Sequence, residues 1–245
     1  MEKNYEVAYH DLEGQHWWFT SRRKTILNLI KDADKDSVIL DVGCSSGLLL
    51  SELRDLGFKN LFGIDVSELA VETAKSKGFP NCFLMDGQNP DFSDEKFDII
   101  VSSDSLEHMA QDKLALKNWH KLLKHGGKAI VYVPAFNSLW SEHDVVNQHY
   151  RRYTKKDLNS KMEGAGYHLE DSGYWNSLLF FPIFAVRKLG KFGPQKEIDE
   201  NSHDLKETPS VINKGLKSLL AAEQKLSKVI KWPVGVSCFS IGIKL

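Results

Sequence analysis

A run of acids and glycines at short spacings carries the residues with chemical potential. Asp41-Val42-Gly43-Cys44-Ser45-Ser46-Gly47 sets an acid two positions before a glycine turn, and Asp65-Val66 and Asp86-Gly87 follow at intervals. A glycine turn lets backbone approach a ligand closely, and an acid ending the next strand suits the hydroxyls of a ribose. The turn lacks the G-x-G-x-x-G spacing of dinucleotide sites. Asp41 is badly placed for a pyrophosphate but well placed for an ammonium group. Asp86 can accept a hydrogen bond from an adenine amino group. Together these residues favour a charged amino-acid nucleoside over a dinucleotide.

A second group could act on an acceptor. His108, His143 and His149 are candidate general bases, since an imidazole titrates near neutrality. Asp104, Glu107 and His108 stand at i, i+3 and i+4. On a helix they would share one face, and two carboxylates with an imidazole could ligate a divalent cation. The plainer reading makes Glu107 a structural hydrogen-bonding residue and His108 a pocket wall, so no resident metal is expected. Arg151, Arg152 and Tyr153 could bind an anionic group or could simply surround a packed tyrosine. Near the start, His16-Trp17-Trp18-Phe19-Thr20-Ser21-Arg22-Arg23 has two readings. Its aromatics pack a helix on the domain, or they form a lid in which Trp18 excludes water and Arg22 or Arg23 meets a carboxylate. Tyr5 and Tyr9 belong to the same aromatic stretch.

Alternating strands and helices must position these groups. Apolar runs predict strands at 38–40, 61–64, 82–85, 97–101, 128–133, 167–175 and 234–243. Helices are expected from Thr20 or Ser21 onward, from Leu48, after Ser67, over 111–124, after Thr154, over 177–192, and after Ser210. The last of these has an apolar seam of Ile212, Leu216, Leu219, Leu226 and Ile230, interrupted by Glu223. Residues 193–210 are polar and read as a loop. The pattern is α/β: a doubly wound, mostly parallel sheet. It divides into an N-terminal helical lid (1–36), a cofactor-binding core (37–175), a helical cap insertion (176–233) and a final core strand (234–245).

The motifs D-V-G-C-S-S-G, G-I-D-V-S, M-D-G and S-D-S-L-E-H-M, each at a strand end and in this order, resemble the class I S-adenosylmethionine-dependent methyltransferases. The resemblance covers 37–133 well and the last strand loosely. It implies a seven-stranded Rossmann-like sheet whose final strand is antiparallel, with S-adenosyl-L-methionine as cofactor and S-adenosyl-L-homocysteine as product. It places Gly43, Cys44 and Gly47 at the methionine part, Asp65 on the ribose, Val66 on adenine, Asp86 and Gly87 at the adenine edge, and Ser102 and Ser103 near the sulfonium. Ser45 departs from the glycine many members carry. Members with E-x-x-E-H where this chain has Asp104-x-x-Glu107-His108 bind a metal that orients vicinal hydroxyls. The flanking HWWFTSRR and HYRRYT stretches resemble a bacterial branch acting on small molecules and cell-surface glycans or lipids.

Composition agrees with a globular enzyme. The chain has 245 residues, 42% hydrophobic, with a formal net charge of -1, which argues against a nucleic-acid binder working by bulk electrostatics. Cys44, Cys82 and Cys238 are widely spaced, which fits a reducing cytoplasm, and the N-terminus has no apolar signal core. The expectation is methyl transfer to oxygen of a small-molecule or lipid-linked acceptor. The apolar 177–192 segment is expected to cover substrate, to contact a second copy, or to touch a membrane surface. The alternatives are a catalytically silent cofactor-binding partner protein and an NAD-dependent oxidoreductase.

Overall fold

The structure is a computed structural model that describes residues 12–190 and 208–245. Tyr5, Tyr9 and most of the polar 193–210 stretch lie outside the described residues. A helix, α1 (Trp17–Ile30), precedes β1 (Val38–Val42), α2 (Leu48–Asp55), β2 (Asn60–Asp65), α3 (Glu68–Ser76) and β3 (Cys82–Leu84). Then come β4 (Phe97–Ser103), α4 (Asp112–Leu122), β5 (Leu123–Pro134), the short α5 (Glu142–Val146) and α6 (Lys155–Gly164). The chain ends with β6 (His168–Trp175), α7 (Phe180–Gly190), α8 (Ser210–Leu226) and β7 (Ser237–Ile243).

The strands form one seven-stranded sheet in the order β3-β2-β1-β4-β5-β7-β6. The pairs from β3 to β5 are parallel, and β7 runs antiparallel between β5 and β6. Order reverses between β1 and β4, and ligand crevices form at such a switch, beyond the strands' carboxyl ends. Strands covered on both faces must be apolar throughout, and Ile39, Leu40, Val42, Ile100 and Val101 are all buried. Alternate residues feed two layers. Leu40, Ile100 and Val131 pack with Leu116, Trp119, Leu158 and Met162 of α4 and α6. Ile39, Val101 and Ile130 pack with Ile26, Ile30, Leu50, Val71 and Leu220 of α1, α2, α3 and α8.

Several elements depart from the sequence expectation. His16, not Thr20 or Ser21, caps α1, its side chain accepting from the Trp18 N–H. That moves Trp17 and Trp18 into the helix. β5 begins at Leu123 and runs through His125-Gly126-Gly127, because Leu123 already pairs with Phe97 and ends α4 early. The seam of α8 is also rotated. Ile212, Leu226 and Ile230 are exposed, whereas Leu220 and Glu223 are buried. Glu223 is no interruption: its carboxylate accepts from the N–H groups of Ser177 and Leu178 at 2.9 Å each. Ser67 and Thr154 cap α3 and α6 as their sequences require. Among the described residues, no helix is long and apolar enough to cross a membrane.

Candidate active site

A cleft of about 810 Å³ opens at the carboxyl edge of β1, β2 and β4. Its floor is the turn between β1 and α2. Gly43 adopts φ 77°, and a Cβ there would lie 2.6 Å from the Ser105 Cβ, so only glycine fits both the conformation and the space. Gly47, at φ 76°, starts α2 from a left-handed N-cap. Ser45 is left-handed too, at φ 47°. This explains why glycine suits the position, and a non-glycine there costs about 1–2 kcal/mol. Ser45 recovers part of that cost through two hydrogen bonds. Its N–H donates to Asp65 Oδ2 at 2.9 Å and its hydroxyl to Glu13 Oε2 at 2.8 Å.

Asp65 is held from both sides, because its other oxygen accepts from the Ser67 N–H at 3.0 Å. The carboxylate at the end of β2 is therefore oriented before any ligand arrives. Asp41 lies on the same wall and is buried. Burial first, and then the neighbouring Asp65 and Glu13, push its carboxyl up to about 7. Val66 is 74% exposed at the rim of the cleft, presenting an apolar surface to a flat ring. Asp86 lines the far end, its carboxylate turned back to the Gln88 N–H at 2.8 Å. Beside it, a Cβ on Gly87 would meet Met109 Cε at 2.4 Å.

Two of the assigned cofactor residues stand elsewhere. Ser102 is fully buried behind the cleft, with its hydroxyl 2.7 Å from that of Ser105, which in turn donates to the Val42 carbonyl. Strand alternation turns Ser103 instead toward the cleft. Trp18 packs edge-on against Trp175, with centroids 4.9 Å apart, and does not line the cleft. Its neighbour Arg22 does. That guanidinium lies over the rings of Trp175 and Tyr132, at 4.1 and 4.6 Å, and pairs with Asp104 at 3.0 Å and Ser237 at 2.7 Å. The carboxylate it meets thus belongs to the chain itself. Cys44 lines the cleft, with its sulfur directed toward Gly63 below the turn.

The opposite wall carries the imidazoles. His108 and His149 meet edge to face, with centroids 4.6 Å apart, and both line the cleft. His149 Nδ1 sits 2.9 Å from Asp144 Oδ1. Arg152 grips the same carboxylate through Nε at 2.7 Å and Nη2 at 3.0 Å. Burial alone would raise Asp144, but these hydrogen bonds outweigh it and hold the carboxyl well below the usual carboxylate range. Burial, and then the neighbouring His149, pull His108 down to about 4. His143 lies one step back, bonded to Asn147, and does not line the cleft. Arg152 is committed to Asp144, and Arg151 to Asp112 at 2.9 Å, so this pair is not the anion site the sequence suggested.

The suggested metal face changes composition as well. Asp104 is taken by Arg22, and its place beside Glu107 and His108 is filled by His149. One ligand atom from each of Glu107, His108 and His149 lies within 4.8 Å of the others. Glu107 is 1% exposed, and neither of its carboxylate oxygens has a hydrogen-bond partner among the described residues. Burial, and then Asp104, raise its carboxyl well above the ordinary value.

Sequence reasoning missed Glu13 and Asp144. Glu13 offers no local signal, since it reaches the turn only through the fold. Asp144 has one: Ser141-Glu142-His143-Asp144 is a capping box, present in the structure, and it fixes the carboxylate inside the loop after β5.

Residues 40–131 match a family described as a methyltransferase domain. Over 143 residues the chain is 29% identical to ubiquinone biosynthesis O-methyltransferase of Coxiella burnetii, a match covering 52% of this chain and 60% of that protein. Over 169 residues it is 28% identical to the tRNA (carboxymethyluridine(34)-5-O)-methyltransferase of Xenopus tropicalis, covering 66% of this chain and 25% of that one. The chain therefore spans less than two thirds of either curated relative. Among solved structures, a SAM-dependent methyltransferase from Archaeoglobus fulgidus shares the fold with a TM-score of 0.63 at 16% identity, covering 97% of this chain and 99% of that one.

Proposed function

We propose that this chain, a member of the class I S-adenosylmethionine-dependent methyltransferases, methylates an oxygen atom of a small or lipid-linked acceptor. The fit to the cofactor rests on donor chemistry. Two carboxyls near neutrality, the buried Asp41 and the half-buried Glu13, suit an ammonium group, the clamped Asp65 suits a ribose diol, and Val66 offers a face for a base. When bound, the cofactor supplies a methyl group on a positively charged sulfur, already primed for in-line displacement. The protein's remaining work is to align the acceptor and take its proton.

One observation carries the choice of oxygen: the Asp144–His149 pair at the wall of the cleft. Asp144 accepts from Nδ1–H, which fixes the tautomer and leaves Nε2 as the proton acceptor. His108, pulled down to about 4, stays neutral beside it and adds no competing charge. Both curated relatives are named for transfer to oxygen, which supports the same reading. The test follows transfer of labelled methyl from S-adenosylmethionine into a small-molecule and lipid extract. His149→Ala should abolish labelling while S-adenosylhomocysteine still binds. Labelling by His149→Ala at the wild-type rate would remove the base. Cofactor binding without labelling in any extract would favour a silent partner protein.

A second reading of the same wall rests on Glu107. A buried carboxylate lacking partners, facing two imidazoles, suits a divalent cation that would draw in a vicinal diol. The Asp144 bond to His149 fits this role too, since ligating imidazoles commonly donate their other N–H to a carboxylate. Exhaustive chelation separates the readings: turnover that survives it belongs to the base alone. A lipid-linked acceptor is supported by α7, which exposes Phe181 and Val186 beside the basic Arg187 and Lys188. Flotation with anionic vesicles tests a surface contact there, and sedimentation tests a homodimer.

A further inference from the structure

Among the described residues before α1, Glu13 reaches into the cleft. Glu13 Oε2 accepts from the Ser45 hydroxyl at 2.8 Å, on the glycine turn itself. The Glu13 backbone is tied down separately, its carbonyl accepting from Arg23 Nη1 at 2.9 Å. The side chain therefore enters the corner already occupied by Asp41 from β1 and Asp65 from β2, and all three line the cleft. A carboxylate whose only task was to cap Ser45 would gain nothing from being sunk among two more acids.

Neutralisation from within the chain is incomplete. Arg23 and Lys77 are the cations facing Glu13, with Asp41 and Asp65 the acids. Arg23 Nε is already paired with Glu52 at 2.9 Å, and Lys77 Nζ donates to the Ser46 carbonyl and hydroxyl at 2.9 and 3.0 Å. Burial raises both; Asp65 and Glu13 add to it at Asp41, while at Glu13 the Ser45 hydrogen bond and Arg23 only partly offset it, which leaves each at about 7.

We propose that Glu13 is a cofactor-binding residue that, with the cleft-lining Asp41 beside it at the glycine turn, takes the cofactor's ammonium group. Both carboxyls sit near 7, so docking an ammonium group releases proton to solvent and binding is linked to pH. The N-terminal segment thereby senses an occupied cleft through one hydrogen-bonded side chain. This inference rests on S-adenosylmethionine as the cleft's occupant.

Titration calorimetry with S-adenosylhomocysteine tests it, using the full chain at pH 6, 7 and 8 in buffers of different ionisation enthalpy. Each proton released from a group near 7 tightens binding by up to about tenfold for each pH unit gained below that value, and the gain levels off above it. Wild type should show that rise together with net proton release. Glu13→Gln should weaken binding about tenfold at pH 8 and release less proton at pH 6. Ser45→Ala keeps the carboxylate but removes the hydrogen bond that favours its charged form, so its pH profile should move upward. Glu13→Gln with wild-type affinity and wild-type proton release would overturn the proposal. If wild type failed to bind S-adenosylhomocysteine at every pH, the cofactor reading itself would fall.

Discussion

The two walls of the cleft treat buried charge in opposite ways. On the β1–β2 side, Asp41 and Glu13 are acids pushed up to about 7 by burial and, to a lesser degree, by the neighbouring Asp65. On the β5 side, Asp144 is buried as well yet held well below the ordinary range, because Arg152 and His149 share its oxygens. The first wall lacks a cation that a ligand can bring. Around Asp144 the second carries its own and uses it to aim an imidazole, while Glu107 on the same wall has no hydrogen-bond partner among the described residues. A buried acid is thus informative mainly through its partners: a satisfied one builds structure, and an unsatisfied one suggests what binds.

Breaking the satisfied wall should cost most. Asp144→Asn leaves the Arg152 guanidinium buried without its counter-charge and His149 without an anchor. A loss of about 3–5 kcal/mol is expected, read as a lower denaturation midpoint in urea, together with loss of turnover. A midpoint within error of wild type would mean that the pair is not buried as described. Next comes His149→Ala, which should lower kcat by about 10²–10⁴ with little change in S-adenosylhomocysteine affinity. A matching drop in affinity would place His149 in the cofactor half instead. Asp65→Ala should weaken S-adenosylhomocysteine binding by about 10–100-fold, the worth of hydrogen bonds to a charged group. Equal affinity would remove Asp65 from the ribose site.

The smallest effect is the pH dependence of the ligand-free fold. Glu13 and Asp41 are raised in the folded state, so the folded chain binds more protons than the unfolded chain between about 4.5 and about 7. Their stabilising contribution is present at the acidic end and lost as pH rises through 7. Asp144 is lowered, so its contribution is present above the ordinary carboxylate range and lost as pH falls below it. Melting should therefore weaken by a few degrees from pH 6.5 to 8, above the window in which the lowered His108 acts in the opposite sense, at about 2–4 °C per kcal/mol, and Glu13→Gln should flatten the slope. A wild-type Tm that rises over that range would contradict the acid cluster.

Much of this was legible in the chain. Asp65, which ends β2, and Asp41 and Asp86, each within two residues of a strand end, are announced by apolar runs that stop abruptly, and the caps Ser67 and Thr154 by the helices behind them. Two kinds of information were not. The first is facing: Ser102 and Ser103 are neighbours of one type, and only the pleat decides which meets the cleft. The second is pairing across the fold. Nothing local to Arg22 says that Asp104 and Ser237 will converge on it, and nothing local to Glu13 says that Ser45 will. The Trp18 assignment failed for the same reason, since its partner Trp175 arrives from β6.

The placement of β7 bears on how the chain is made. Among the described residues β6 pairs only with β7, and β7 also takes the far edge of β5. As the polypeptide leaves the ribosome, the strands that build the cofactor wall can assemble early, while β6 waits for α7 and α8 to be synthesised before it finds a neighbour. Ser237, which opens β7, is also the residue that meets Arg22 from α1. The latest strand thus closes onto the earliest helix, a long-range contact of the kind that forms slowly. Nascent chains halted before residue 237 should leave an exposed β5 edge for chaperones to shield.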